Sequence, residues 1–283
     1  MSYDADALRA FFNAYGDREW DRLDKTLPGR IKLAAHRKVL SAHVGPGMRV
    51  LDVGSGPGRF AIEIARIGAT VTLVDLSDVQ LDLARARIAE HGVSDRVEGY
   101  HQLDVLDLSS LEANAYDAVV CYGGAVSYTT RHYQGAFRQL ARVARPGAPV
   151  LVSVMSLLGA LRLIGPLDAA SFLETRDDHL DWKTVLAGAD VMCTQPTSNE
   201  FHRPMALFTS RGLRAGLTDA ELDVELIATS DVFVPEYSQI PRLSASRSAS
   251  DALIELELAM YDQPGLVDAG GHLIGVGRKR GRS

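Results

Sequence analysis

"VLDVGSGPGRFAIEIA", Val50 to Ala65, sets Gly54, Gly56 and Gly58 between two apolar runs, with Asp52 two residues ahead of the first glycine. The first run, "RVLDV", reads as a short buried strand. The second, "RFAIEIARIG", reads as an amphipathic helix closed by Gly68. A strand that passes into a helix through three glycines brings backbone N–H groups close to a ligand at the helix N-terminus. The spacing narrows the ligand. A dinucleotide turn takes G-x-G-x-x-G, whereas this one is G-x-G-x-G. A P-loop places a lysine and a Ser/Thr after its last glycine, whereas Arg59 and Phe60 follow here. Asp52 would repel a pyrophosphate and suits a ligand end that carries positive charge.

Strands and helices alternate on the C-terminal side of this turn. "TVTLVDL" is a β-branched strand and "DVQLDLARARIAEHG" a helix, with Leu81, Ala84 and Ile88 on one face and Gly92 after it. "RVEGYHQ" and "DAVVCYG" are further strands. "RHYQGAFRQLARVA" is a helix, and "PVLVSVM" a fifth strand opened by "RPG". Fully apolar strands alternating with amphipathic helices predict an α/β fold with a doubly wound, Rossmann-like sheet. Farther on, "SRGLRAGLTDA" reads as a helix, "DVELIATSDVF" as a strand, "ASDALIELELAMYD" as a helix and "GHLIGVGRK" as a last strand. On the N-terminal side, residues 5–43 read as helical with a break at "TLPGR", where Pro28 and Gly29 punctuate the chain.

Further acids stand in order after the glycines. Asp75 ends the second strand, about 20 residues past the glycine turn, where an acid meets the two hydroxyls of a ribose; its alternative role is to cap the next helix. "HQLDVLDL" follows the third strand, and Tyr122 and Gly123 end the fourth. The pattern D-x-G-x-G-x-G with these landmarks resembles the class I S-adenosylmethionine (SAM) methyltransferases over roughly residues 45–155. That resemblance implies a seven-stranded sheet whose last strand is antiparallel. It also implies S-adenosylmethionine as cofactor, with S-adenosylhomocysteine as product. The implied cofactor residues are Asp52, Gly54, Ser55, Gly56 and Gly58 at the turn, Asp75 on the ribose and Leu76 beside the adenine. Asp104 and Val105 would meet the adenine edge, with Asp107 as the competing acid, and Tyr122 and Gly123 would pass under the methyl donor. The division expected is an N-terminal helical cap segment at 1–44, a cofactor-binding core at 45–155, a cap insertion at 156–205 and the rest of the sheet at 206–283.

Composition bounds the partner. The 283 residues are 46% hydrophobic and 23% charged, with a net charge of −6, which disfavours a nucleic-acid surface. The basic tail "GRKRGRS" reads as a solvated end. Cys121 and Cys193 are isolated, which fits a reducing compartment. The N-terminus lacks a basic region ahead of an apolar stretch, and no apolar run reaches membrane-spanning length. The expectation is a soluble, cytoplasmic protein that engages neither membrane nor nucleic acid, as a monomer or homodimer.

Methyl transfer needs positioning above all, and a base only where the nucleophile arrives protonated. No N-P-P-Y or D-P-P-Y follows the fourth strand, which disfavours nucleic-acid bases as acceptors. No carboxylate stands directly after that strand, and the eight histidines show no H-x-x-x-H spacing, so no metal is expected. The base candidates are Tyr128, His132 and, in the cap, His202. His36 and His272 read as structural or exposed. Phe11, Phe12 and Tyr15 read as core or pocket wall, and Trp20 and Trp182 as surfaces for a flat acceptor. The expected activity is metal-independent methyl transfer to O or N of a small organic molecule. Alternatives are an NAD(P)-dependent oxidoreductase, a protein or RNA methyltransferase, and a SAM-binding protein without turnover.

Overall fold

The computed structural model describes residues 3–164, 205–234, 243 and 245–281. One seven-stranded sheet runs through it in the order β3-β2-β1-β4-β5-β7-β6. The strands are β1 (Arg49–Val53), β2 (Thr70–Asp75), β3 (Val97–Gln102), β4 (Ala118–Cys121), β5 (Pro149–Met155), β6 (Leu222–Ser230) and β7 (His272–Lys279). The first five pair in parallel, and β7 runs antiparallel to both β5 and β6, as expected from the sequence. Strand order reverses at β1, between β2 on one side and β4 on the other. Open α/β sheets bind ligands at that crevice.

Ten α-helices among the described residues clothe the sheet. They are α1 (Ala5–Tyr15), α2 (Arg18–Asp21), α3 (Leu27–His43), α4 (Arg59–Ile67), α5 (Asp78–Glu90), α6 (Ala125–Tyr128), α7 (Tyr133–Val143), α8 (Leu157–Ile164), α9 (Ser210–Asp219) and α10 (Arg247–Met260). The helices expected around "LIELEL" and "SRGLRAGL" are both present as α10 and α9. One apolar cluster joins α7 and α9 to the sheet face carrying Leu51, Val119 and Val152. A second joins α3, α4 and α5 to the face carrying Val50, Val120 and Ile274. No described helix is long and apolar enough to cross a membrane.

Two N-terminal details differ from the sequence reading. Pro28 and Gly29 do not break the chain; they form the first turn of α3, where a proline's missing N–H is no loss. Thr26 caps that turn by accepting from the Gly29 N–H at 3.1 Å. The earlier helical run instead divides at Gly16, whose φ of 55° stops α1 before α2 begins. The consequence is spatial. Helix α3 buries Leu33, Val39 and Leu40 in the core layer, while α1 and α2 remain free to lie across the carboxyl ends of the strands.

Several contacts hold α1 and α2 there. Gln80 in α5 donates to the carbonyls of Phe12 and Gly16 at 3.1 and 3.0 Å. Asn13 donates to Asp78 at 2.9 Å. Trp20, considered above as an acceptor platform, packs under the Arg59 guanidinium 3.5 Å from its ring, with Arg87 at 4.9 Å. Cation–π stacking against α4 and α5 makes Trp20 an anchor for this segment. Trp182, Cys193 and His202 lie outside the described residues.

Candidate functional site

The glycine turn joins β1 to α4 at the switch in strand order. The backbone N–H groups of Gly54 and Ser55 both donate to the Val74 carbonyl, at 2.8 and 3.0 Å, which ties the turn to the end of β2. Gly54 has φ 68°, and a Cβ there would stand 2.6 Å from the Ala125 Cβ, so α6 sits directly against it. Gly58 answers a different need. A Cβ on it would lie 3.1 Å from the Ala84 Cβ, so the third glycine lets α4 pack on α5.

A cleft opens beside this turn, with about 640 Å³ of empty space including its mouth. Gly54, Gly56, Asp75 and Leu76 line one end, and Asp104, Val105, Tyr122 and Gly123 complete the floor. Eight of the cofactor residues expected from sequence thus meet around one space, joined there by Phe12 and Tyr128. Asp52, Ser55 and Gly58 stand behind it rather than in it. His132 is exposed, its ring edge-on to Tyr3 at 6.5 Å, and it lines neither this cleft nor the compartment beside it. Asp107 is exposed and turned to the Ser109 N–H, so Asp104 is the acid that reaches the cleft.

The two facing acids are held by backbone. Asp75 accepts from the Gly56 N–H at 2.8 Å and the Ser77 N–H at 2.9 Å, which aims the carboxylate across the cleft. Burial nevertheless raises its pKa to about 6, because those two donors only partly replace water. Asp104 accepts from the Leu106 N–H at 2.8 Å and from the Tyr3 hydroxyl at 2.7 Å. Asp52 is 1% exposed, and its Oδ2 has no partner among the described residues. Burial, then the Asp75 charge, push Asp52 up to about 7.

The roof comes from the N-terminal segment: Tyr3, Leu8, Phe12 and Glu19 all face the cleft. Glu19 lies against the glycine turn, its Cγ 3.5 Å from where a Gly56 Cβ would be. It is paired with Arg22 at 2.5 Å. Of these roof residues only Phe12 stands out in sequence, as a pocket-wall candidate; nothing local marks Tyr3, Leu8 or Glu19, whose contacts lie dozens of positions away.

A second compartment adjoins the first, sharing Phe12, Glu19, Gly123 and Tyr128 with it. It holds about 1010 Å³ of empty space including its mouth, room for an organic molecule. Phe11, Tyr15 and Met155 extend its apolar wall, and Arg22, Lys32 and His272 supply polar groups. Tyr128 stands at the junction. Burial, then the Glu19 charge, raise its phenol to about 12, so it stays protonated and can donate a hydrogen bond but not take a proton. Its neighbour Ser127 is structural, accepting from the Met155 N–H at 2.9 Å. His272, read from sequence as structural or exposed, proves to line this compartment. Among the described residues no cluster of three His, Cys, Asp or Glu could hold a metal ion.

Comparison with known proteins agrees with this geometry. Residues 50–147 match a family described as "Methyltransferase domain". A ubiquinone biosynthesis O-methyltransferase of Xanthomonas axonopodis pv. citri is 31% identical over 146 residues. That alignment covers 51% of this chain and 59% of the relative, so less than two thirds of the relative is spanned. Among solved structures, a 1,6-didemethyltoxoflavin-N1-methyltransferase of Burkholderia thailandensis, with its substrate and S-adenosylhomocysteine bound, superposes with a TM-score of 0.55. It is 18% identical, with 98% of this chain and 89% of that one covered. A chain from the Haloferax volcanii complex of the Trm112 methyltransferase activator and a methyltransferase gives a TM-score of 0.62 at 17% identity, covering 97% of this chain and 98% of that one. At these identities the structural matches establish the fold.

Proposed function

We propose, on the premise that residues 50–147 are a class I S-adenosylmethionine-dependent methyltransferase domain, that the protein methylates an O or N atom of a small organic molecule. The reaction is an in-line displacement that uses no metal. One observation carries the reading: the cleft around the glycine turn adjoins the second compartment, with Phe12, Glu19, Gly123 and Tyr128 lining both. A donor in the first space therefore faces an acceptor in the second.

The residues present fit the cofactor. Asp75, already oriented by two N–H donors, offers its outer lone pairs to the ribose diol. Leu76 and Val105 would flank the adenine, and Asp104 would accept from its amino group in place of the Tyr3 hydroxyl. Gly54, Gly56, Tyr122 and Gly123 would hold the amino-acid end. Asp52, with its unpartnered oxygen behind the turn, and Ser55 and Gly58 support that end from below. The cofactor supplies a methyl group on a sulfonium that leaves as a neutral thioether. The protein's own residues align the acceptor, keep out water through α1, and stabilise the developing geometry. Tyr128 orients the acceptor as a hydrogen-bond donor.

The cap division follows the same logic: α1 and α2 would roof the cofactor, while residues 165–204 of the expected insertion at 156–205 lie outside the described residues. The acidic net charge and the enclosed second compartment favour a small molecule over RNA or protein. An O-methyltransferase among the sequence relatives and an N-methyltransferase among the similar structures accord with that class without choosing the atom. Isothermal calorimetry tests the reading. S-adenosylmethionine and S-adenosylhomocysteine should bind with saturable heat while NADH and NADPH give none. Nicotinamide binding in their place would refute it.

A further inference from the structure

The chemistry of the second compartment points to what it accepts. Its wall is aromatic: Phe11 and Tyr15 stack with centroids 5.6 Å apart, and Phe12 meets Tyr128 edge-on at 5.5 Å. Its ionic groups are unevenly disposed. Arg22 enters from α2's end and is committed to Glu19 through two of its nitrogens, at 2.7 and 2.5 Å. Lys32 enters from the second turn of α3. Lys32 forms an ion pair with Asp231, which follows β6, at 3.6 Å, longer than a close direct hydrogen bond. Asp231 is 3% exposed, whereas the Lys32 side chain is 22% exposed. Lys32 lines the compartment and Asp231 does not, so a ligand there meets the lysine first.

His272 adds an independent observation. It opens β7 opposite Met155 in the sheet register, which places it at the same edge as the compartment. The residue is 4% exposed, and its Nδ1 has no partner among the described residues. A second ring, His36, stands 6.2 Å away and donates from Nδ1 to the Lys32 carbonyl at 2.7 Å. Burial keeps both imidazoles neutral, helped by Lys32 and Arg22: His36 falls to about 4, and His272 lies well below the usual histidine range. Tyr122, whose ring packs 4.6 Å from His36, and Tyr128 are held protonated by burial. The space thus offers an ammonium, a guanidinium with its carboxylate and one neutral imidazole, that of His272. It repels an alkylammonium acceptor and favours an anion.

Resting on the two-compartment methyltransferase reading, we propose that the acceptor is an aromatic compound carrying an ionised oxygen, and that Lys32 is the residue that recognises that oxygen, with His272 as a neutral hydrogen-bonding neighbour. An acceptor bound as its oxyanion has no proton to surrender, so no general base is required. This accounts for a compartment in which the Tyr128 phenol and the His272 imidazole are held neutral. Lys32 is a specificity residue, distinct from the groups around the cofactor.

The probe is 4-nitrophenol, whose phenolate is yellow, titrated against pH with the protein saturated in S-adenosylhomocysteine. The wild-type protein should hold the bound dye as phenolate to at least about one pH unit below its free titration, a tenfold preference for the anion. Lys32→Arg should keep most of that shift. Lys32→Met should return the dye to its free titration and weaken its binding at least about tenfold, with S-adenosylhomocysteine affinity unchanged. The proposal is overturned if the wild-type protein binds the dye as neutral phenol or not at all, or if folded Lys32→Met matches the wild type. Preferential binding of a benzylammonium over the phenolate would overturn it too. The wild-type measurement stands even where the methionine variant does not fold. Failure to bind S-adenosylhomocysteine would instead remove the cofactor reading.

Discussion

Replacing Asp52 with asparagine should make the protein more stable, and only above mildly acidic pH. Asp52 is enclosed at the end of β1 with an oxygen that lacks a partner among the described residues, and burial plus the Asp75 charge raise its pKa from 3.8 to about 7. A carboxyl whose pKa rises on folding is most favourable to the fold while protonated in both states. As pH climbs past 3.8 the unfolded chain releases its proton and the folded chain does not, so stability falls until the folded group ionises near 7. The full penalty above that pH is about 4 kcal/mol, at 1.36 kcal/mol per pKa unit. Asparagine carries no such penalty. It does place an N–H2 where no acceptor waits, a pH-independent cost of about 1–3 kcal/mol.

The signature of Asp52→Asn is therefore a slope and not an offset. Relative to wild type, its unfolding free energy should rise by about 4 kcal/mol between pH 4 and pH 8, changing from a small loss to a gain. Asp75 titrates in both proteins and cancels in the difference. Urea unfolding at pH 4, 6 and 8, read by far-UV dichroism, measures this directly. Parallel stability curves, offset by the same amount at every pH, would refute the reasoning, because they would mean Asp52 ionises alike in folded and unfolded chains. The cost of the buried carboxylate is intelligible as the other side of cofactor binding. A cationic ligand end should lower the Asp52 pKa, so S-adenosylmethionine affinity should strengthen as pH rises through about 7 and weaken overall in Asp52→Asn.

Other changes test neighbouring parts of the site. Asp75→Ala should weaken S-adenosylmethionine by about 1–3 kcal/mol through lost charge-assisted hydrogen bonds, with unchanged calorimetric affinity in a folded variant counting against a ribose role. Gly54→Ala combines a positive φ with a 2.6 Å approach to Ala125, so it should lower stability by at least about 1–2 kcal/mol and abolish cofactor binding. Retained affinity there would mean that α6 does not press on the turn. Trp20→Ala removes the stack with Arg59 and Arg87 and should loosen the roof, raising the cofactor Kd with little change in the core's unfolding. Turnover, once an acceptor is in hand, should survive exhaustive EDTA treatment; loss of activity restored by Mg²⁺ would overturn the metal-independent reading.

The core of this protein is legible in its sequence because its signals are local. Strand-turn-helix chemistry at Val50–Ala65, and the later alternation of apolar strands with amphipathic helices, determine the doubly wound sheet and its ligand edge. Gly54, Gly56, Asp75, Asp104 and Tyr122 are all found at strand ends, and a strand end is a position that periodicity can locate. The antiparallel β7 followed from the family resemblance, since a one-dimensional pattern carries no strand direction.

What tertiary structure alone decided lies at the far ends of long contacts. Glycines of one motif separate in role only in space: Gly54 and Gly56 face the cleft, while Gly58 packs helices. His132 looks well placed along the chain yet points to solvent, while His272, nearly 150 residues from the glycine-rich end of β4, stands at the compartment because β7 inserts beside β5. Lys32 and Glu19 reach the site because α3 packs on the sheet while α1 and α2 cross its edge. Backbone preference is encoded residue by residue. Which side chains share one enclosed space depends on strand order and helix packing, and those exist only once the whole chain has folded.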